Sequence, residues 1–246
     1  FAAEQLGVSR VAIFHDTELY GEGLAQLFAA DARALGMEVV AGPIGINWRR
    51  INEQSPTAGA EAERVARELM VGNPELVYFG GTTAHGPTQV YNALRQAGYS
   101  GHFMGADGVA ERAFVEGLNE PSTGTLPIYA TLVGTPIDEL PPAGQEWRQR
   151  YVNRYGEQPD PFAAPSYEAA LVTLDAISRA QVADGEGSLL DRARPAVLAA
   201  MRETQNFDGI LGSWSFDENC DTTSVTISIN QAQGGDFVLI DTISEQ

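Results

Sequence analysis

The chain has 246 residues, of which 43% are hydrophobic and 20% are charged, a composition typical of a globular protein with one large domain or two small ones. Lys and Arg number 15 against 33 Asp and Glu, for a formal net charge of -18 at pH 7. Such acidity argues against nucleic acids and anionic membrane surfaces as partners. No apolar run approaches the roughly 20 residues that a membrane helix needs, so we expect no membrane span in this chain.

The first half of the chain alternates between short apolar segments and segments with helical periodicity. The apolar segments predict strands at Arg10–His15, Glu38–Ala41, Leu76–Phe79, His102–Met104 and Thr125–Tyr129. Apolar spacings of three and four residues predict helices at Leu19–Leu35, Ala58–Val71, Pro87–Ala97 and Ala110–Gly117. Because repeated strand–helix alternation produces parallel neighbours, the sequence predicts an α/β fold with a doubly wound parallel sheet.

From about Pro136 the pattern changes, and three helices follow one another with almost no strand between them. They are predicted through Trp147–Tyr155, from Pro165 to about Val182, and from about Leu190 to Arg202. Such helices either pack on one another or cover a sheet whose strands lie in missing sequence, and both arrangements stay open. Strand candidates return at Trp214–Phe216, Val225–Ile229 and Phe237–Ile240. The last two predict a β-hairpin around Gly234-Gly235.

Three loops that follow predicted strands share small and polar residues: Asp16–Tyr20, Gly80–Thr83 and Gly105–Gly108. In a parallel sheet these loops lie at one edge, where open α/β sheets bind ligands. Small residues such as Gly81 let a ligand approach the backbone, and Thr82 adds a hydroxyl. Asp107 offers the negative charge that an ammonium group requires. The three loops together therefore predict a binding site.

Each of these residues also has a structural interpretation. Asp107 could cap the following helix, and the Gly80-Gly81 pair could form a tight turn. Tyr20 could pack on its own helix, and for Tyr20 the local pattern leaves both interpretations open. The coincidence of three such loops at one edge favours the binding site.

The chain lacks the usual signatures of catalysis. No dinucleotide fingerprint or P-loop follows the first strand, and no G-x-S-x-G motif occurs. The three histidines, His15, His85 and His102, have no metal-ligand spacing with Cys220 or with one another. We therefore expect no catalytic residue, no metal and no cofactor.

An ordered set of motifs resembles the periplasmic leucine/isoleucine/valine-binding proteins, the solute receptors of branched-chain amino acid ABC transporters. The motifs are His15-Asp16 with Tyr20–Gly23, Val77–Gly81, Phe103–Gly108, Tyr155-Gly156 with Pro159, Ser166–Ala170 and Gly212–Asp217. The resemblance covers nearly the whole chain. It implies a type I periplasmic-binding fold, in which two α/β lobes joined by crossing strands close on an amino acid.

The resemblance also implies how the lobes are divided. Residues 1–127 would form the family's second lobe, residues 133–214 would supply helices of the first lobe without their sheet, and residues 215–246 would return to the second lobe. Family chains begin with most of the first lobe, whereas this sequence begins at Phe1 without a methionine. We therefore expect one doubly wound lobe, an incomplete other lobe, and a longer precursor with a signal peptide.

The same resemblance implies roles for single residues. Tyr20 would contact the ligand from the second lobe, and Asp107 would hold its α-ammonium group. Thr82 follows Gly81 where the family often has an aromatic residue, so the side-chain pocket would differ here. Phe162 would line the cleft, although Pro161 and Pro165 disturb the spacing.

The expected function is that of an extracytoplasmic solute-binding protein of an ABC transporter, without catalysis. It would bind a branched-chain amino acid or a similar small amphipathic ligand, and its protein partner would be the transporter permease. It would lie in the periplasm or outside the cell, either free or lipid-anchored. Two alternatives remain: a ligand-sensing domain of a regulator or receptor with this fold, and a nucleotide-dependent α/β enzyme. The enzyme would lack phosphate-binding glycines and clustered basic residues.

Overall fold

The computed structural model describes residues 1–51, 58–119, 124–182, 188–224 and 226–244. The chain divides into two compact units. Unit 1 comprises Phe1–Leu132 and Ile229–Thr242, and unit 2 comprises Val133–Ser228 and Ile243–Gln246. The main segment of unit 2, Val133–Ser228, is therefore inserted between the two segments of unit 1. The expected assignment of residues 1–127, 133–214 and 215–246 to two lobes of a larger fold stays a prediction.

The strands of the described chain fall into two sheets. They are β1 (Arg10–His15), β2 (Glu38–Gly45), β3 (Leu76–Gly80), β4 (His102–Gly105), β5 (Thr125–Val133), β6 (Phe207–Gly209), β7 (Gly212–Trp214), β8 (Thr226–Gln233) and β9 (Asp236–Ser244). Seven of them form one sheet in the order β2-β1-β3-β4-β5-β8-β9, and β6 pairs with β7. Strand β1 lies parallel to β2 and β3, β3 to β4, and β4 to β5. The predicted parallel sheet is confirmed.

The helices of the described chain connect these strands. They are α1 (Leu19–Ala34), α2 (Trp48–Ile51), α3 (Ala58–Leu69), α4 (Pro87–Gln96), α5 (Arg112–Glu116), α6 (Pro142–Tyr155), α7 (Ala163–Arg179) and α8 (Leu189–Arg202). Short 3₁₀ helices lie at Thr83–His85, Asp107–Val109 and Ile137–Glu139. Helices α6, α7 and α8 follow one another in unit 2, as the sequence predicted.

Helices cover both faces of the sheet of unit 1, which is why β1 and β3 are apolar and buried along nearly their whole length. On one face, α1 buries Ala25, Ala29 and Ala32. These small residues let α1 lie close to the sheet, so its first turn is held at the carboxyl end of β1. The other face carries an aromatic core in which Phe14 and Phe79 have ring centroids 4.6 Å apart.

Most predicted bounds agree with the structure to within one or two residues, and the larger differences have physical causes. Strand β2 continues beyond Ala41 because its pairing with β1 resumes at Phe14 and Ile44 after a register shift. Strand β5 runs on beyond Tyr129, and its neighbour β8 lies along it. Pairing with a strand from another part of the chain extends β2 and β5, and the local sequence pattern does not indicate such pairing.

The hairpin predicted around Gly234-Gly235 is confirmed. Strands β8 and β9 are neighbours in the sheet, and both glycines have positive φ, at 60° and 90°. A two-residue hairpin turn of type I′ requires positive φ at both of its central residues. Val225, expected to begin the first strand, lies outside the described residues.

Unit 2 brings two of its three helices into direct contact. Arg179 of α7 donates to the carbonyl of Ala200 in α8 and to the hydroxyl of Thr204, each at 2.9 Å. Leu174 and Ile177 of α7 nevertheless remain more than half exposed. The expected strand at Trp214–Phe216 is only partly correct, because β7 ends at Trp214 and its pairing with β6 was not predicted.

Glu168 of α7 organises the core of unit 2. Glu168 is 3% exposed, and its carboxylate accepts hydrogen bonds from the backbone amide of Ile210 and from Nε1 of Trp214, each at 2.8 Å. A Cβ on Gly209 would overlap the same carboxylate. Glu168 therefore has a structural role, joining α7 to β7 and to the turn between β6 and β7.

Candidate functional site

The three strand-end loops meet at the carboxyl edge of the parallel sheet, as the sequence predicted. We call this surface the candidate edge; it is formed by Asp16–Tyr20, Gly80–Thr83 and Gly105–Gly108. The hydroxyl of Thr83 donates to the carbonyl of Gly108 at 3.3 Å, which joins the second loop to the third. A Cβ on Gly108 would overlap the carbonyl of Gly81. The second and third loops therefore pack backbone against backbone, which the missing Cβ of Gly108 permits.

Asp16 lies beneath the first two loops and is 1% exposed. Its Oδ1 accepts a hydrogen bond from the amide of Glu18 at 3.1 Å, and its Oδ2 accepts one from the amide of Thr82 at 3.3 Å. A Cβ on Gly81 would lie 2.6 Å from Oδ2, so the absence of a side chain there makes room for the carboxylate. Asp16 thus holds the start of α1 and the turn after β3 together.

His85 and Trp48 complete this arrangement, and neither role was predicted from the sequence. Nδ1 of His85 lies 2.7 Å from Oδ2 of Asp16, and the imidazole stacks on the indole of Trp48 with ring centroids 4.2 Å apart. Nε1 of Trp48 donates to a carboxylate oxygen of Glu18 at 3.2 Å. These partners are distant in sequence, and a spacing rule for metal ligands could not detect a histidine that pairs with a carboxylate.

Tyr20 and Asp107 form a direct pair across the candidate edge. The Tyr20 hydroxyl donates to the Asp107 carboxylate. Partial burial, followed by the bond to Asp107 and its negative charge, raises the pKa of Tyr20, so the phenol stays protonated and remains a donor. The ring is 43% exposed, so Tyr20 does not simply pack on its own helix.

The alternative role of Asp107 as a helix cap does not match the geometry. The next α-helix, α5, begins at Arg112 with Glu111 at its N-cap position. The 3₁₀ helix Asp107–Val109 has Ala106 at that position, with no side-chain cap. The carboxylate of Asp107 is instead directed to Tyr20, and this places a negative charge beside the exposed phenol.

Gly81 and Thr82 lie between these two pairs. Gly81 is buried and has a φ of 147°, with Asp16 and the ring of Phe79 where a Cβ would be. Thr82 is partly exposed, and its amide is already bonded to Asp16. The side chain of Thr82, rather than its amide, is therefore what this loop offers to a ligand.

Phe162 belongs to unit 2, whereas the other four predicted residues belong to unit 1. It occupies the position before α7, and its amide donates to Oδ1 of Asp160 at 3.0 Å. Its ring is 43% exposed. An exposed aromatic side chain at a helix start is compatible with the predicted contact, which stays a prediction.

Tyr78, beneath the candidate edge, gives a pH-dependent prediction. Burial, with a smaller effect from the charge of Asp107, raises the pKa of Tyr78 to about 12. A group whose pKa is higher in the folded protein than in the unfolded protein stabilises the fold at pH values below the unfolded pKa, which is about 10 for tyrosine. This contribution is lost as the pH rises toward about 12. We expect the free energy of unfolding to fall by about 2–3 kcal/mol over that range on account of Tyr78.

Urea unfolding at several pH values, on the wild type and on Tyr78→Phe, measures this contribution. The variant cannot ionise at this position, so its alkaline loss of stability should be smaller. The same alkaline loss in both proteins would contradict the assignment to Tyr78.

Neither a metal-binding cluster nor a membrane-spanning helix occurs in the described part of the chain. No group of three or more His, Cys, Asp or Glu side chains there has an arrangement that could hold a metal ion. No helix among the described residues is both long enough and apolar enough to cross a bilayer.

The fold and the candidate edge define a class: an α/β protein with a parallel sheet whose carboxyl edge carries small residues, a carboxylate and an exposed phenol. Residues 1–236 match the model of the periplasmic binding protein family, and the chain belongs to that family. The resemblance inferred from the sequence motifs is thereby confirmed. Members of this family bind solutes and are not enzymes.

Individual relatives are similar over almost the whole of this chain. The leucine-, isoleucine-, valine-, threonine- and alanine-binding protein of Pseudomonas aeruginosa is 24% identical over 229 residues, which are 93% of this chain and 54% of that protein. The crystal structure of a leucine-binding protein from Thermotoga maritima matches with a TM-score of 0.77 and 26% identity, covering 99% of this chain and 63% of that one.

A third similarity extends the comparison to a structure with a bound ligand. The branched-chain amino acid transporter substrate-binding protein of Streptococcus pneumoniae, solved with isoleucine, matches with a TM-score of 0.71 and 17% identity, over 99% of this chain and 62% of that one. This likeness concerns the fold. The chain thus spans about half the length of the curated relative and less than two thirds of the solved ones.

Proposed function

We propose that the natural protein containing this chain is an extracytoplasmic solute-binding protein of an ABC transporter and that it binds a branched-chain or similar amino acid. The observation that carries the proposal is the Tyr20–Asp107 pair at the candidate edge. A carboxylate beside an exposed phenol can bind an α-ammonium group through charge-assisted hydrogen bonds. The names of the relatives, which bind leucine, isoleucine and valine, support the same ligand class.

In this proposal each predicted residue has a distinct role. Asp107 receives the ammonium group, and Tyr20 remains hydrogen-bonded to the same carboxylate while its ring covers the ligand. Gly81 leaves the space that the Asp16 carboxylate occupies and so supports the turn before Thr82, whose hydroxyl contacts the ligand. Phe162 of unit 2 lines the side-chain pocket. The partner is the permease of the transporter, and the location is the periplasm or the extracellular space, with or without a lipid anchor.

A thermal-shift screen of the natural full-length protein against amino acids, nucleotides and NAD tests the proposed function. A ligand present at 100 times its Kd should stabilise the folded protein by about 2.7 kcal/mol. Stabilisation by leucine, isoleucine or valine is the expected result. Stabilisation by nucleotides or NAD alone would favour the enzyme alternative and would contradict the proposal.

Tyr20→Ala is expected to weaken ligand binding by about 1–3 kcal/mol while changing stability little, because the side chain is exposed but its hydroxyl orients Asp107. Calorimetry measures the affinity, and thermal unfolding measures the stability. Leu27→Ala provides a matched control, since Leu27 is 64% exposed on the same helix. A large loss of melting temperature with normal affinity would show that Tyr20 has only a packing role.

A further inference from the structure

A buried carboxylate, an imidazole and an indole form a connected cluster next to the predicted ligand-binding residues. We call it the Asp16 cluster; its members are Asp16, Glu18, Trp48 and His85. Starting from Asp16, the contacts run from its Oδ2 to Nδ1 of His85 at 2.7 Å, through the stack of His85 on Trp48, to the hydrogen bond from Trp48 to Glu18. The amide of Glu18 returns to Oδ1 of Asp16, so the contacts close into a ring.

The ring joins three separate segments of the chain. Asp16 and Glu18 lie in the loop after β1, Trp48 lies in α2, and His85 lies in the 3₁₀ helix after β3. Two of these segments carry residues expected to touch the ligand, since Tyr20 lies in the first turn of α1 and Thr82 immediately precedes the 3₁₀ helix. The positions of both residues therefore depend on the ring.

The carboxylate of Asp16 is enclosed by backbone. The glycines at 21 and 81 both lack the Cβ that would collide with it, and the amides of Glu18 and Thr82 both donate to it. A buried carboxylate is costly unless it is paired and hydrogen-bonded. His85, whose side chain is 22% exposed, supplies that partner from the solvent side.

We propose that Asp16 and His85 are positioning residues, which fix the Thr82 turn and the first turn of α1 in the arrangement that binds the ligand. This inference rests on the proposed function, because Asp16 and His85 affect ligand binding only by positioning Tyr20 and Thr82. Neither residue needs to touch the ligand. His85 acts by holding Asp16, and Asp16 acts by holding the two amides.

Two variants of the natural full-length protein test this role: Asp16→Asn and His85→Gln. Asparagine keeps the size of Asp16 but cannot accept at both side-chain atoms, so one of the two amides loses its acceptor. Glutamine removes the ring that stacks on Trp48 and the partner of the carboxylate. His102→Gln is the matched control, because His102 begins β4 at the opposite edge of the sheet.

The first measurement is hydrogen exchange of the segments that contain Glu18 and Thr82, which needs no ligand. The second is the affinity for leucine, isoleucine and valine, measured by calorimetry. The melting temperature of each variant is measured as well. We expect both variants to exchange at least tenfold faster at these amides and to bind at least tenfold more weakly. His102→Gln should change neither quantity at the candidate edge.

The possible results separate positioning from simple stabilisation. Exchange equal to the wild type in both variants would overturn the proposal. Faster exchange with wild-type affinity would also overturn it, since loosening the two loops would then have no effect on ligand binding. If the wild type binds none of the three amino acids, the proposed function fails by itself, and the exchange measurement still decides whether the Asp16 cluster fixes the two loops.

Discussion

Asp107→Asn is expected to weaken amino-acid binding by about 2–5 kcal/mol, or roughly 30-fold to several thousandfold in Kd, while leaving the fold intact. The substitution keeps the shape of the side chain but removes the charge that would pair with the ligand's ammonium group. Its effect on the unliganded protein should be small, because Tyr20 can donate to an amide oxygen as it does to the carboxylate. Calorimetry on the natural full-length protein measures the change.

A control with the same loss of charge makes this experiment specific. Asp31 lies exposed on α1, so Asp31→Asn changes the net charge equally without altering the candidate edge. We expect wild-type affinity in this control. Equal losses in the two variants would indicate a general effect of charge, and unchanged affinity in Asp107→Asn would remove Asp107 from the site.

Glu168→Ala should lower the stability of unit 2 by about 3–5 kcal/mol, because it leaves two buried donors, the Ile210 amide and the Trp214 indole, without an acceptor. Hydrogen bonds to a charged acceptor contribute about 1.5–3 kcal/mol each, and an unsatisfied buried donor costs a similar amount. Glu168→Gln should lose less, since its amide oxygen can still accept from one of the two donors.

Urea unfolding followed by tryptophan fluorescence measures this loss. Trp147 and Trp214 both lie in unit 2, and a Trp48→Phe background removes the signal of unit 1. Glu146→Ala is the control, because Glu146 is exposed on α6. A Glu168→Ala midpoint close to that of the control would contradict the structural role assigned to Glu168.

The sequence predicted the fold well because its strands and helices are bounded by strong local signals. Strand β1 was predicted at its observed bounds, and the first helix differs by one residue at its end. The candidate edge was also predictable, because strand ends in a parallel sheet share one side. The pairing of β6 with β7 was missed because each strand has only three residues, too few to show alternation.

The supporting contacts of the site were not predictable in the same way. Asp16 pairs with His85 and bonds to Thr82, and both partners are far away in sequence. Glu168 likewise reaches Trp214 across the small sheet of unit 2. No local pattern marks such residues, because a carboxylate that will be buried looks in sequence like one that will be solvated. They become visible only when the fold has brought their partners together.

The insertion of unit 2 into unit 1 has a consequence for synthesis on the ribosome. Once β5 has left the ribosome it can pair with β4 on one side, but β8, its neighbour on the other, emerges only after Val133–Ser228 has been translated. At about 5–20 residues per second, translation of Val133–Ser228 takes roughly 5–20 s. Throughout that interval β5 is an open sheet edge, able to pair with other nascent chains. The length of unit 2 therefore sets how long the growing polypeptide is exposed to aggregation.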